Sequence, residues 1–164
     1  MEFVNQGDDP QVDREVIARA VHERFLEEQS GKKPANDPSM VPWEQLPSNY
    51  REDNLRVADD IQRKMGLIGC GLRPCGPGEG ASDFEFTPQE IEILAEDEHR
   101  RWMAGKQQQG YVLGKVKHDE PPKTHPCMVP WSKLSDVERE KDRLVCRGIP
   151  VILAKAGFTV YRFK

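Results

Sequence analysis

The side chains best suited to chemistry come in two sets with the same spacing. One runs His22, Glu23, Arg24, Phe25, and the other His99, Arg100, Arg101, Trp102. An aromatic ring beside guanidinium groups can stack on a flat ligand and hold its anionic groups, because Arg meets phosphate oxygens through a bidentate fork. Arg19, Arg100 and Lys106 lie on neighbouring turns of the same helical stretches. Catalysis finds less support. The pairs Asp59-Asp60 and Glu96-Asp97 are adjacent along helices, so their carboxylates diverge. His99 with Cys127 or Cys146 lacks an orienting third group. No Walker motif is present, and no G-x-G-x-x-G follows a strand. Cys70, Cys75, Cys127 and Cys146 make no C-x-x-C pair and have no matched His spacing, which argues against a zinc site or a disulfide framework. The expectation is a protein that is not an enzyme, with no metal and no cofactor.

Each set belongs to a larger repeat. Residues 40–46 read MVPWEQL and residues 128–134 read MVPWSKL. Each block follows a His-x-x-aromatic helix and precedes a charged stretch, an apolar-periodic run, a Gly and a short ending with an Arg. The second half carries an extra segment, GYVLGKVKHDEPPKTHP, between its aromatic and its MVPW block. Two divergent copies of one unit follow, each of about sixty to seventy-five residues, a size at which a single unit is marginal.

The elements that must position these residues are mainly helical. Apolar spacing predicts a helix from about Arg14 to Glu28, with Val16, Ile17, Ala20, Val21 and Phe25 near one face. A second helix is capped by Ser48 or Asn49 and runs to about Met65, with Gly66 at its end. Thr87, Pro88 and Glu90 form a capping-box signature for a third helix, which carries Ile91, Leu94, Ala95 and Trp102 and ends near Gly110. Ser135 and Glu138 open a fourth to about Ala156, with a kink or break at Pro150. FTVYRF alternates like a strand, whereas IGCGLR is too Gly-rich to assign. The MVPW blocks are expected to be extended, because the residue before Pro avoids the helical region. The expected organisation is a tail at 1–12, a shortened repeat at 13–73, a Gly/Pro-rich linker at 74–88 and a second repeat at 89–164. The fold class is mainly α with short β-strands: two pseudo-twofold-related copies of helix–loop–helix–short strand, packed as one unit.

Composition narrows the setting. The chain has 164 residues and a net charge of -4, with mean hydropathy -0.74 and pI about 5.6. An acidic balance argues against a dedicated nucleic-acid binder. No apolar run approaches the roughly 18–20 residues of a membrane span. The first residues lack the basic start and apolar core of a signal peptide. A soluble, cytoplasmic protein with no nucleic-acid or membrane partner is expected. A homo-oligomer or an attached effector domain stays open.

The order of rare residues in the second half resembles the RyR domain, the repeat named after the ryanodine receptors and also found in prokaryotic proteins. The matching positions are His99, Trp102, Gly110-Tyr111, Asp119, His125-Pro126, Val129-Pro130-Trp131 and Lys141-Asp142-Arg143. The first half resembles it more thinly, at His22, Asn36, Pro38, Val41-Pro42-Trp43 and Asn54. It has Phe25 where the pattern has Trp, and it lacks the Gly-aromatic and His-Pro segments. The resemblance implies tandem, pseudo-symmetric helical modules that are non-catalytic. It also implies binding of adenine nucleotides, or of messengers related to cyclic ADP-ribose, with the two motif aromatics facing each other.

On that basis the expected site lies between the repeats, with Phe25 and Trp102 as two walls for a purine. Arg24, Arg101, Arg19 and Lys106 would meet the phosphates, His22 and His99 lie beside the aromatics, and Lys117 and His118 would close over the ligand. The result would be sensing or sequestration. An aromatic on the apolar stripe of a helix is more often core than ligand wall. Trp43 and Trp131 are expected to pin their loops onto the core. The rival function is a protein-interaction scaffold with no small-molecule ligand.

Overall fold

The computed structural model describes residues 13–76 and 84–163. The expected tail at 1–12 and the central part of the expected linker, 77–83, lie outside the described residues. In chain order the elements are α1 (Arg14–Gln29), α2 (Ser48–Leu67), β1 (Cys70–Pro74), α3 (Pro88–Gln108), β2 (Val112–Leu113), β3 (Thr124–His125), α4 (Asp136–Arg147), α5 (Ile149–Lys155) and β4 (Phe158–Arg162). Short 3-10 turns, Trp43–Gln45 and Trp131–Lys133, precede α2 and α4. The fold is mainly helical with short strands.

Residue chemistry explains most of the element ends. Thr87 accepts from the Glu90 N–H while the Glu90 carboxylate accepts from the Thr87 N–H, completing the capping box of α3. Ser135 caps α4 through the Glu138 N–H. Asp13 does the same for α1 through the Glu15 N–H. The start of α2 differs from expectation: the cap is Pro47 with no side-chain bond, and Ser48 is already helical. Proline there fixes an extended φ but has no side-chain acceptor. The expected break near Pro150 is present, since α4 ends at Arg147 and α5 begins at Ile149. The Pro of each MVPW block is extended as expected, but its Trp opens a 3-10 turn.

The described residues divide into two compact units, one of residues 13–76, 84–85 and 149–163 and the other of residues 86–148. In the first unit α1 packs on α2 and α5, and β1 pairs antiparallel with β4, Cys70 opposite Arg162 and Pro74 opposite Phe158. The Gly-rich stretch left unassigned from sequence is therefore a strand. Gly71 lies opposite Tyr161, and a Cβ at Gly71 would meet that ring at 2.8 Å, so the glycine makes room for the aromatic crossing it. Gly69 and Gly157, both at positive φ, turn the chain from a helix into each strand. The core holds Ile17, Ala18, Ile61, Met65, Leu153 and Phe158. Each large aliphatic there contributes about 1.5–3 kcal/mol through burial. Val16, expected on the buried face of α1, is exposed; Ala18 and His22 are buried instead. Lys64 is buried against Asp60.

In the second unit α3 packs on α4, and Ile91, Leu94 and Ala95 of α3 are buried. The extra segment of this half folds into the parallel pair β2–β3 and a loop. The units cut across the division made on sequence repeats: α5 and β4 fall in the second repeat by sequence yet pack with the first unit. No described helix is long and apolar enough to cross a membrane.

Candidate functional site

Each His-x-x-aromatic motif sits on the first long helix of its unit, with the His buried and the aromatic half-buried. In the second unit His99 Nε2 donates to the Val129 carbonyl at 2.6 Å, tying α3 to the VPW block. The same bond joins His22 Nε2 to the Val41 carbonyl at 2.7 Å in the first unit. A buried carbonyl without a partner would cost about 1–3 kcal/mol, so the histidine is a structural pin. Each imidazole also stacks on its own aromatic: His99 on Trp102 at 5.8 Å and 18°, His22 on Phe25 at 6.0 Å and 20°.

The VPW blocks are held from the other side by arginine. Arg139 donates to the Trp131 and Ser132 carbonyls at 3.0 Å each. Arg51 donates to the Trp43 and Glu44 carbonyls at 3.1 and 2.7 Å. Each guanidinium also lies against the Trp ring whose carbonyl it binds. Trp43 is buried and Trp131 half-buried, and these contacts fasten both loops.

Trp102 lines a cavity of about 360 Å³ in the second unit. The other walls are His99, His125, Pro126, Cys127 and Leu134, with Glu138, Lys141 and Asp142 from α4. His125 meets Trp102 edge-on at 4.8 Å, and the Lys106 ammonium lies 5.9 Å from the Trp102 ring centre. Lys106 also sits 4.7 Å over Tyr111, whose hydroxyl donates to Asp119 at 2.7 Å. That bond raises the tyrosine's pKa and lowers the aspartate's. The extra segment of this half is thereby fastened beside the cavity.

The electrostatics of this cavity are mixed. His125 Nδ1 accepts from the Cys127 N–H at 3.0 Å, which needs a neutral ring. Burial first, then the charges of Lys106 and Lys117, push its pKa below 6.5. Burial and the neighbouring Glu138 push the Cys127 thiol up. Glu138 is held below its ordinary value chiefly by the Lys141 ammonium, which donates to it at 3.0 Å.

Among the residues singled out from sequence, His99 and Trp102 share this cavity, with Lys106 over the Trp ring and Lys117 close enough to bear on His125. Phe25 and His22 line a separate cavity of the first unit. The arginines do not line either one. Arg101 pairs with Glu98 at 2.7 Å, Arg24 with Glu28 at 2.8 Å, and Arg19 with Glu15 and Glu44. His118 donates from Nδ1 to the Glu120 carbonyl and stays in its loop. The wall residues Glu138, Lys141 and Asp142 escaped selection, although Lys141-Asp142 is part of the motif; what gives them away is their spacing along α4 behind the VPW turn.

A half-buried Trp stacked on a buried His, a VPW loop fastened by Arg, and a second helix closing a polar cavity define a small helical module. The RyR domain family model matches residues 86–162. That stretch of the chain is similar to an RyR domain.

Proposed function

We propose that the protein is a non-catalytic, cytoplasmic sensor or sequestering module that binds an adenine nucleotide or a nucleotide-derived messenger of the ADP-ribose type. The supporting observation is the cavity walled by Trp102, with Lys106 over the ring and Lys141 in the wall. A cavity of about 360 Å³ falls within the roughly 300–1,000 Å³ of small-molecule sites. The indole offers a stacking surface, and Lys106, Lys117 and Lys141 supply positive charge for phosphates. Residues 13–73 would be a divergent second copy, a view supported by the repeated His-to-carbonyl and Arg-to-carbonyl bonds. A role without catalysis fits Cys127 and His125: the thiol is pushed toward its protonated form, and His125 Nδ1 is taken up by a backbone N–H. The four free thiols suit a reducing compartment.

Calorimetry with AMP, ADP-ribose and cyclic ADP-ribose tests this. One of them should bind saturably, and Trp102→Ala should weaken it by about 10- to 100-fold, the value of one stacked base. A folded protein that binds none of them would refute the proposal. The exposed Val112, Leu113 and Val116 favour the rival, an interaction scaffold, and that outcome would leave it standing.

A further inference from the structure

The cavity of the first unit is built on the same frame as that of the second but lined differently. Leu46, Tyr50, Asp53 and Asn54 follow Trp43 at the same spacings at which Leu134, Glu138, Lys141 and Asp142 follow Trp131. All eight line their respective cavities, with Phe25 at the place of Trp102. A surface hollow arising by chance would not reuse wall positions in register. The first cavity is smaller, about 270 Å³.

Its chemistry is less suited to phosphates. Both walls hold two carboxylates and one lysine, Asp37, Asp53 and Lys33 here against Glu138, Asp142 and Lys141 there, but the second cavity also has Lys106 over its Trp ring and Lys117 close to His125. The Ser39 N–H and hydroxyl both donate to Asp37, at 2.9 and 2.6 Å, and hold it ionised at neutral pH. The cation in the wall is Lys33, placed 5.6 Å from the centre of the Phe25 ring. The position four residues after the motif aromatic is Lys106 in one unit and Gln29 in the other. A phenyl wall, a Tyr hydroxyl, an Asn amide and two carboxylates fit a flat heterocycle carrying N–H or O–H donors and no negative charge.

We infer that the first unit holds a second, independent binding site for an uncharged nucleobase or nucleoside, walled by Phe25, Tyr50, Asp53 and Asn54. This deepens the nucleotide proposal by adding a site less suited to anions, and it stands on the first cavity alone. Ligand-observed NMR and calorimetry on the whole chain, with adenosine and AMP as probes, separate the two. Adenosine should bind wild type and Trp102→Ala alike. Phe25→Ala should abolish that binding, and Tyr50→Phe, which keeps the ring and hence the packing, should weaken it by about fivefold, the value of one hydrogen bond. AMP should follow Trp102 instead. No saturable adenosine binding to the folded wild type would overturn the inference, and so would adenosine binding lost in Trp102→Ala but untouched by Phe25→Ala and Tyr50→Phe. Failure of AMP, ADP-ribose and cyclic ADP-ribose together would refute only the nucleotide proposal.

Discussion

The two cavities share a frame and differ in lining, and the division between what is shared and what differs follows a physical line. Shared are the groups that satisfy buried backbone: His22 and His99 on the Val41 and Val129 carbonyls, Arg51 and Arg139 on the carbonyls of the Trp turns. Different are the side chains that line the hollow: Tyr50 against Glu138, Asp53 against Lys141, Asn54 against Asp142. A backbone carbonyl offers the same acceptor whatever the ligand, so its partner is fixed by folding. A wall residue answers only to what occupies the cavity. The comparison teaches that this frame supports different recognition chemistry without rebuilding its supports.

The largest effect expected is on the pins. His99→Ala leaves a small cavity and an orphaned carbonyl, and should cost about 2–4 kcal/mol by denaturant melts. His22→Ala should cost a similar amount, and a large disparity would break the equivalence of the two frames. Arg139→Ala and Arg51→Ala should each cost about 1–3 kcal/mol, since two charged hydrogen bonds to carbonyls are lost in each. Replacement by Lys should rescue only part, because one ammonium does not reproduce the guanidinium fork. Asp53→Lys sharpens the contrast in lining: it puts into the first cavity the charge that Lys141 brings to the second. AMP binding at that cavity should tighten by about 1 kcal/mol, roughly fivefold, while adenosine loses affinity.

Acid should separate the units most gently. His125 has a folded pKa below 6.5, so the unfolded chain takes up the proton first as pH falls. Stability is therefore lost as pH drops below about 6.5. Glu138 has a folded pKa below 4.5; the stability it adds is present above that value and lost further down. In the first unit Asp37 adds a loss only below 3.8. Amide exchange followed by NMR from pH 7.5 to 5 should thus show the second unit loosening first. His125→Gln should flatten that slope above pH 5. If both units loosened together in wild type, His125 would not be the group responsible.

Much of this was legible in the chain because it is local. Thr87-Pro88-Glu90 and Ser135-Glu138 carry their caps within one turn, and Phe158–Arg162 alternates visibly. Of the residues that carried the RyR resemblance, His99 fastens the VPW loop and the Tyr111–Asp119 bond fastens the extra segment. What did not show depends on distant partners. Cys70–Pro74 is a strand because β4 pairs with it, and Gly71 is there for Tyr161. The arginines of the motif look like phosphate ligands in sequence, but Glu98 and Glu28, one turn away, take up Arg101 and Arg24. The cavity walls on α2 and α4 come from charged stretches that periodicity alone reads as solvent-facing.

The β1–β4 pairing also bears on how the protein is made. About half of the chain lies between the two strands, so β1 leaves the ribosome long before its partner exists. During that interval β1 and the face of α1 that receives α5 lack their covering, while residues 86–148 already hold every helix and strand of their own unit. The later segment of the chain can therefore finish folding before the earlier one. Translation speed across residues 86–148 sets how long the unfinished first unit waits with an open strand edge, the period in which a holdase chaperone or a mispaired strand from another copy would compete for it.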